Sequence, residues 1–174
     1  MIETLPQKAQ AFARTRHAGQ AGKRPGEPYM QHVEAVVELL LDQQEPSASV
    51  LAAAYLHDCL EKTDTTVLEL IREFGEDVAE LVYWLTDPDE SEDDVKHLLS
   101  AWRLARAPRE AKIIKLADIA DNADAILAHD PQRWPGFRAE KSAILDGMLR
   151  IEGSAFDAVP LFVRARAALQ RAPA

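Results

Sequence analysis

The chain has 174 residues, 47% of them hydrophobic and 28% charged, which is enough to enclose a core, and its formal net charge is −9. With a pI near 5.0, the average field repels nucleic acid and anionic membranes, and a single cysteine, Cys59, excludes an intramolecular disulfide. The N-terminal stretch has no apolar leader and no segment approaches the roughly 18 apolar residues of a membrane span, so the expectation is one cytoplasmic domain over residues 1–174.

Apolar residues recur at about helical spacing from Ile2 to Ala18 and stop at a loop holding Gly19, Gly22, Pro25, Gly26 and Pro28. Between Tyr29 and Leu41, the residues Val33, Val36, Val37, Leu40 and Leu41 form an i, i+3, i+4, i+7, i+8 stripe that predicts a second helix. Ser47 or Ser49 can cap a third, containing Leu51 to Leu56, whose near-continuous apolar character predicts burial on most sides. It runs straight into His57 and Asp58. Thr66-x-x-Glu69 has the form of a capping box for a helix carrying Leu68, Leu70, Ile71 and Phe74, with Gly75 as its C′ residue, and Val78–Leu85 predicts the next helix. Ser91-x-x-Asp94 resembles a weaker cap before Val95–Ala105. Pro108 can occupy the first turn of a helix reaching Ala128, Pro131 bars its continuation, and two amphipathic segments follow, Trp134–Ile151 and Phe156–Leu169. No convincing period-two strand appears, so the predicted class is all-α.

Some polar residues sit where a core should be. His57 and Asp58 end an apolar run, and an uncompensated buried carboxylate is costly. Glu61 follows His57 by four residues and Asp58 by three, so a helix continuing one more turn would crowd all three on one side. Such a group is either a hydrogen-bonded core network or a metal and water-activating site. Asp118 lies beside the apolar face Ile113, Ile114, Leu116, Ala117 and Ala120, with Asp121 and Asn122 a turn on; alone it reads as part of a solvated acidic face. His32, one turn into the second helix after Pro28-Tyr29, alone reads as an ordinary partly buried histidine. Together, two imidazoles and two carboxylates make a natural mixed shell for Mn²⁺, Fe²⁺ or Zn²⁺.

Several motifs then occur in one order: Lys23-Arg24, Pro28-Tyr29-x-x-His32, Ala53-Ala54-Tyr55-Leu56-His57-Asp58-x-x-Glu61, Phe74-Gly75-x-x-Val78-Ala79-x-Leu81-Val82, and Lys115-Leu116-Ala117-Asp118-x-x-x-Asn122. Through them the chain resembles the HD-domain alarmone hydrolases, the hydrolase half of RelA/SpoT-type enzymes and especially their small stand-alone relatives, from about Ala9 to about Leu149. The resemblance implies a single HD-type helical bundle. It implies that His32, His57, Asp58 and Asp118 bind a divalent metal, typically manganese, that Glu61 acts on the attacking water, and that Asn122 contacts the substrate or the metal-bound phosphate region. Lys23 and Arg24 match basic residues of the nucleotide pocket, and Lys96 and Arg138 look like cations that meet the phosphates. The implied reaction removes the 3′-pyrophosphate from guanosine 3′,5′-bis(diphosphate).

The sequence departs from the family's His-Asp-x-x-Glu-Asp-Thr at one position, where Lys62 stands for the second acid. This reverses a charge beside Glu61, where the cation would make that acid a weaker base or bind a substrate phosphate; Asp64 is the nearest replacement carboxylate. A second departure is Ile119-Ala120-Asp121, where the long enzymes have Arg-Leu-His. Two other readings therefore stand beside the first. One is a hydrolase of another nucleotide, such as an adenosine alarmone, the 2′-phosphate of NADPH or a nucleoside phosphate. The other is a catalytically silent nucleotide-binding module, against which the retained ligand types and Glu61 argue. A small-molecule nucleotide is the expected partner, and neither nucleic acid nor membrane is expected. Homo-oligomerisation is left open.

Overall fold

The computed structural model describes residues 3–43, 45–88 and 92–172. Among these the structure is all-α: the strand-like feature is an isolated antiparallel bridge between Ala21 and Pro28. By its internal contacts the chain divides into two compact units, Met1–Thr86 and Asp87–Ala174.

The first unit runs α1 (Leu5–Arg16), α2 (Met30–Gln43), α3 (Ala48–Leu56), α4 (Cys59–Lys62), α5 (Val67–Phe74) and α6 (Glu76–Leu85). Helix α3 is its centre, packed by α1, α2 and α6. The run that predicted burial on most sides is enclosed: Ala52, Ala53, Ala54 and Leu56 have no exposed surface, and Val50 little. Ala9 and Ala13 of α1 are equally buried, and small side chains let a helix approach its neighbour closely. Ser47 rather than Ser49 is the cap of α3, its hydroxyl accepting from the Val50 N–H.

Thr66 caps α5 through the Glu69 N–H at 3.2 Å, while the Glu69 carboxylate pairs with Arg16 of α1. The capping sequence therefore also ties α5 to α1. Gly75 has φ +88° and both ends α5 and opens α6, a backbone conformation that side chains with a Cβ rarely adopt. The third helix does not persist through His57-Asp58: α3 stops at Leu56, the pair forms a turn with Asp58 at φ −102°, ψ −1°, and α4 restarts at Cys59.

The second unit contains α7 (Asp93–Arg106), α8 (Arg109–His129), α9 (Trp134–Glu152) and α10 (Pro160–Leu169), with short 3-10 turns at Pro131–Arg133 and Ser154–Ala158. Helix α9 lies against α7, α8 and α10. Gly147 makes the α7 approach possible, since a Cβ there would lie 3.2 Å from Ala105 Cβ and 3.4 Å from the Ala101 carbonyl. Two expected boundaries shift. Pro108 sits one place before the first helical residue of α8, its ring fixing φ without breaking a hydrogen bond. Pro160, not Phe156, opens the last helix, for the same reason. The cap expected at Ser91-x-x-Asp94 lies outside the described residues, because Ser91 is not among them.

Candidate metal centre

Three of the expected ligands meet within the first unit. His57 follows the last turn of α3, and its Nδ1 lies 2.8 Å from the Ala54 carbonyl. A carbonyl oxygen only accepts, so Nδ1 carries the proton and Nε2 presents a lone pair. That Nε2 is 3.3 Å from Asp58 Oδ2, and His32 Nε2 is 3.7 Å from the same oxygen. The two imidazole rings stand 5.3 Å apart at 71°. Both histidines are 3% exposed. Two imidazole nitrogens and one carboxylate oxygen therefore face a common point, with the His57 ring oriented by a backbone acceptor, an arrangement typical of metal-ligating histidines.

The break at Asp58 is what makes this meeting possible. His32 is one turn into α2, whose apolar stripe holds it against α3, and the turn at His57-Asp58 carries Asp58 back toward both rings. Asp58 Oδ2 also accepts the Tyr29 hydroxyl hydrogen bond. The Tyr29 ring stacks on His17 at 4.8 Å between centroids. Burial holds the His17 imidazole below its ordinary pKa, against the Gln20 hydrogen bond and the Asp58 charge that raise it. Burial, reinforced by Asp58, likewise pushes the Cys59 thiol up to about 12.

Glu61 lies in the single turn of α4, with Lys62 Nζ 2.5 Å from its Oε1. Asp64 is turned outward, 86% exposed at its side chain, and pairs with Arg16 at 2.8 Å. Lys23 is exposed and Arg24 half-buried in the loop before α2, the latter 4.0 Å from Glu27.

In the second unit the α8 residues Asp118, Asp121 and Asn122 do not form the solvated face that Asp118 taken alone would suggest: each is 5% exposed. Asp118 is held from both sides along its own helix: Asn122 Nδ2 donates to Oδ1 at 2.5 Å, and Lys115 Nζ lies 2.9 Å from Oδ2. These are the i+4 and i−3 neighbours of a helix. Lys115 thus holds the Asp118 carboxylate, and its position between Ile114 and Leu116 on the core side of the helix is the sequence signal for that burial. Lys115 also acts on Asp87. Burial would raise its carboxyl pKa, but Lys115, the Ser100 hydrogen bond, Lys141 and Lys96 together bring it below the usual value. Lys96, half-buried, therefore acts on Asp87 together with the buried Lys115 and Lys141. Arg138, one turn before Lys141 on α9, is exposed and borders a groove of about 300 Å³ with Ser142, Asp146 and Arg166.

No helix among the described residues is long and apolar enough to cross a membrane. Residues 9–145 match the family model described as HD domain. Among curated proteins, the chain is 34% identical over 132 residues to the guanosine-3′,5′-bis(diphosphate) 3′-pyrophosphohydrolase MESH1 of Drosophila melanogaster, covering 75% of this chain and 74% of that protein. It is 36% identical over 126 residues to the guanosine-3′,5′-bis(diphosphate) 3′-pyrophosphohydrolase of Aquifex aeolicus, covering 69% of this chain and 17% of that longer protein. A solved structure of a metazoan ortholog of SpoT that hydrolyzes ppGpp superposes with a TM-score of 0.84 at 26% identity, over 98% of this chain and 96% of the other. A family of metal-dependent hydrolases implies a divalent ion, and the nitrogen and oxygen donors of His32, His57 and Asp58 suit one. By its family match, its relatives and its helical architecture, the chain belongs to the HD-domain family, among the alarmone hydrolases.

Proposed function

We propose that the protein hydrolyses guanosine 3′,5′-bis(diphosphate), releasing pyrophosphate and a 5′-nucleotide. The observation that carries this reading is the convergence of His32 Nε2 and His57 Nε2 on Asp58 Oδ2 in a chain matched along three quarters of its length to such hydrolases. His32, His57, Asp58 and Asp118 would hold the divalent ion, Mn²⁺ in the first instance, with Fe²⁺ or Zn²⁺ as chemically suitable substitutes. When bound, such an ion lowers the pKa of water and polarises a phosphoryl oxygen.

The chain's own residues do the rest. Glu61 accepts the proton of the attacking water, and Lys62 sets how readily it does so. Asn122 orients Asp118 and reaches the phosphate region. Lys23, Arg24, Lys96 and Arg138 offset the charge of a polyanion that a protein of net charge −9 would otherwise repel. Asp64 would have to leave Arg16 to serve the same site. The family match running across residues 9–145 supports a single working domain, and the one cysteine, buried and free, suits a reducing cytoplasm.

Lys62 favours a second reading by a specific contact. Its ion pair with Glu61 places a cation where another phosphate pattern could be read, so hydrolysis of an adenosine alarmone, the NADPH 2′-phosphate or a nucleoside phosphate is the alternative. The test is metal analysis of gently purified protein, followed by turnover of a nucleotide panel with pyrophosphate and phosphate measured separately. About one Mn, Fe or Zn per chain with pyrophosphate from guanosine 3′,5′-bis(diphosphate) supports the proposal. Phosphate from another nucleotide selects the second reading, and a folded protein without metal or turnover overturns both.

A further inference from the structure

Asp58 faces a problem that its neighbours do not. Its backbone lies in a turn between α3 and α4, and its side chain makes no capping bond to α4. A residue from another segment can set the direction of the carboxylate. The tyrosine three residues before His32 does: Tyr29, 6% exposed, donates its hydroxyl to Asp58 Oδ2, the oxygen that both imidazole nitrogens face. A carboxylate oxygen has more than one lone-pair direction, so accepting the phenolic proton leaves another free for a ligand.

The tyrosine ring is itself fixed. One face stacks on His17 at an interplanar angle of 28°, and its edge meets the His32 ring at 5.7 Å. His17 is held in turn, Nδ1 to Gln20 Oε1 at 2.8 Å, while Gln20 Nε2 donates to the Lys62 carbonyl at 2.9 Å. The Gln20 carbonyl accepts the Tyr29 N–H at 3.0 Å. A buried histidine and a glutamine thus tie the loop after α1 both to Tyr29 and to the end of α4, the turn that bears Glu61. None of these three side chains is needed to fill the core, since an apolar residue would do that without burying polar atoms.

We propose that Tyr29 is a positioning residue for the metal centre, its hydroxyl setting the Asp58 carboxylate toward His32 and His57, with the His17–Gln20 pair locking its ring. This rests on the reading that these three residues bind a divalent ion. Hydrogen-bond partners of metal ligands typically change affinity by about 10–100-fold when removed.

The test is Tyr29→Phe, which keeps the ring and its stacking and deletes the hydroxyl. Metal-free full-length protein, wild type and variant, is titrated with Mn²⁺ alone, and the thermal midpoint of each metal-free protein is recorded. The expected result is Mn²⁺ binding weakened by about 10–100-fold with an unchanged metal-free midpoint, and turnover recovered when Mn²⁺ is raised in proportion. A general packing defect would lower the midpoint and would not be rescued by metal. Equal Mn²⁺ affinity in wild type and variant overturns the positioning role and leaves the metal reading intact, whereas a wild type that binds no Mn²⁺, Fe²⁺ or Zn²⁺ overturns that reading and this inference with it. Gln20→Leu is the second variant, useful if Tyr29→Phe fails to fold. It leaves the hydroxyl present but cuts the His17 tie, and weaker Mn²⁺ binding is expected; unchanged affinity there removes His17 and Gln20 from the proposal.

Discussion

Lys62 Nζ stands 2.5 Å from Glu61 Oε1, an ion pair between consecutive residues in the single turn of α4. The lysine occupies the acidic position of the family's motif, so its charge acts on the very group assigned to the attacking water. Glu61→Gln removes the proton acceptor without touching a metal ligand. General-base catalysis contributes about 10²–10⁴-fold, and a loss in that range with metal content unchanged is expected, read by turnover and elemental analysis of the same preparation. Full activity in Glu61→Gln refutes the role.

Lys62→Asp restores the family's charge. Pyrophosphate release from guanosine 3′,5′-bis(diphosphate) should rise relative to every other nucleotide of the panel, because Glu61 is no longer neutralised by its neighbour. A fall in that release, with other nucleotides also slower, would instead make Lys62 a contact to substrate.

Lys112 is 1% exposed and pairs with Glu152 at the end of α9, which also meets Arg109 at 3.2 Å. Breaking a fully buried pair costs about 3–5 kcal/mol, and here only the lysine is fully buried, the Glu152 side chain being 20% exposed. Glu152→Ala should therefore destabilise the protein in urea by less than that range, with the slope unchanged. Lys112→Met, which removes the buried charge itself and keeps much of the volume, should cost distinctly less. The opposite order of the two variants would show that the lysine stem, not its charge, is what the core requires.

The same carboxylate gives stability a pH dependence. The Lys112 hydrogen bond and charge, with Arg109, hold Glu152 below its usual pKa, and Asp87 is lowered by its lysines despite its burial. A carboxyl with a depressed folded pKa contributes stability that is fully present above its unfolded value, about 4.3 for Glu and 3.9 for Asp, and that is lost as pH falls through the folded value. The urea midpoint should hold nearly level down to about pH 5 and then fall. Glu152→Gln should start lower and fall less steeply; an identical acid limb in the variant would place the dependence elsewhere.

The helices were legible because their signals are local. Ser47, Thr66, Gly75, Pro131 and the α2 stripe act within a turn or two of their own positions, and the elements fall where those residues put them. The break at His57-Asp58 was not legible: the run from Leu51 onward favours a continuous helix, and the turned Asp58 is held by Tyr29 and His32 from the start of α2, besides its neighbour His57. The burial of Asp118 was hidden for a related reason. On a helical wheel it borders the apolar stripe, but α8 is enclosed on nearly every side between Ile114 and Ala123, so hydrophobic patterning loses its power to sort inside from outside. Lys115 within that enclosed stretch, and Lys112 just before it, carried the missing information.

Cys59 offers a clock for opening of the first unit. Its side chain has no exposed surface, and its Sγ lies 3.7 Å from His17 Nε2 beneath the Tyr29 stack. A thiol reagent can reach it only when the unit opens, so at neutral pH the native protein should react far more slowly than the same protein in denaturant. If His32, His57 and Asp58 bind Mn²⁺, added metal selects the closed form and should slow the reaction further, in proportion to its occupancy. Labelling with a small alkylating agent, followed by mass spectrometry with and without Mn²⁺, reads both effects. Native-state labelling as fast as that of the unfolded chain would contradict the buried position of Cys59. Labelling that is slow but indifferent to Mn²⁺ would show that the ion does not stabilise the turn carrying Asp58.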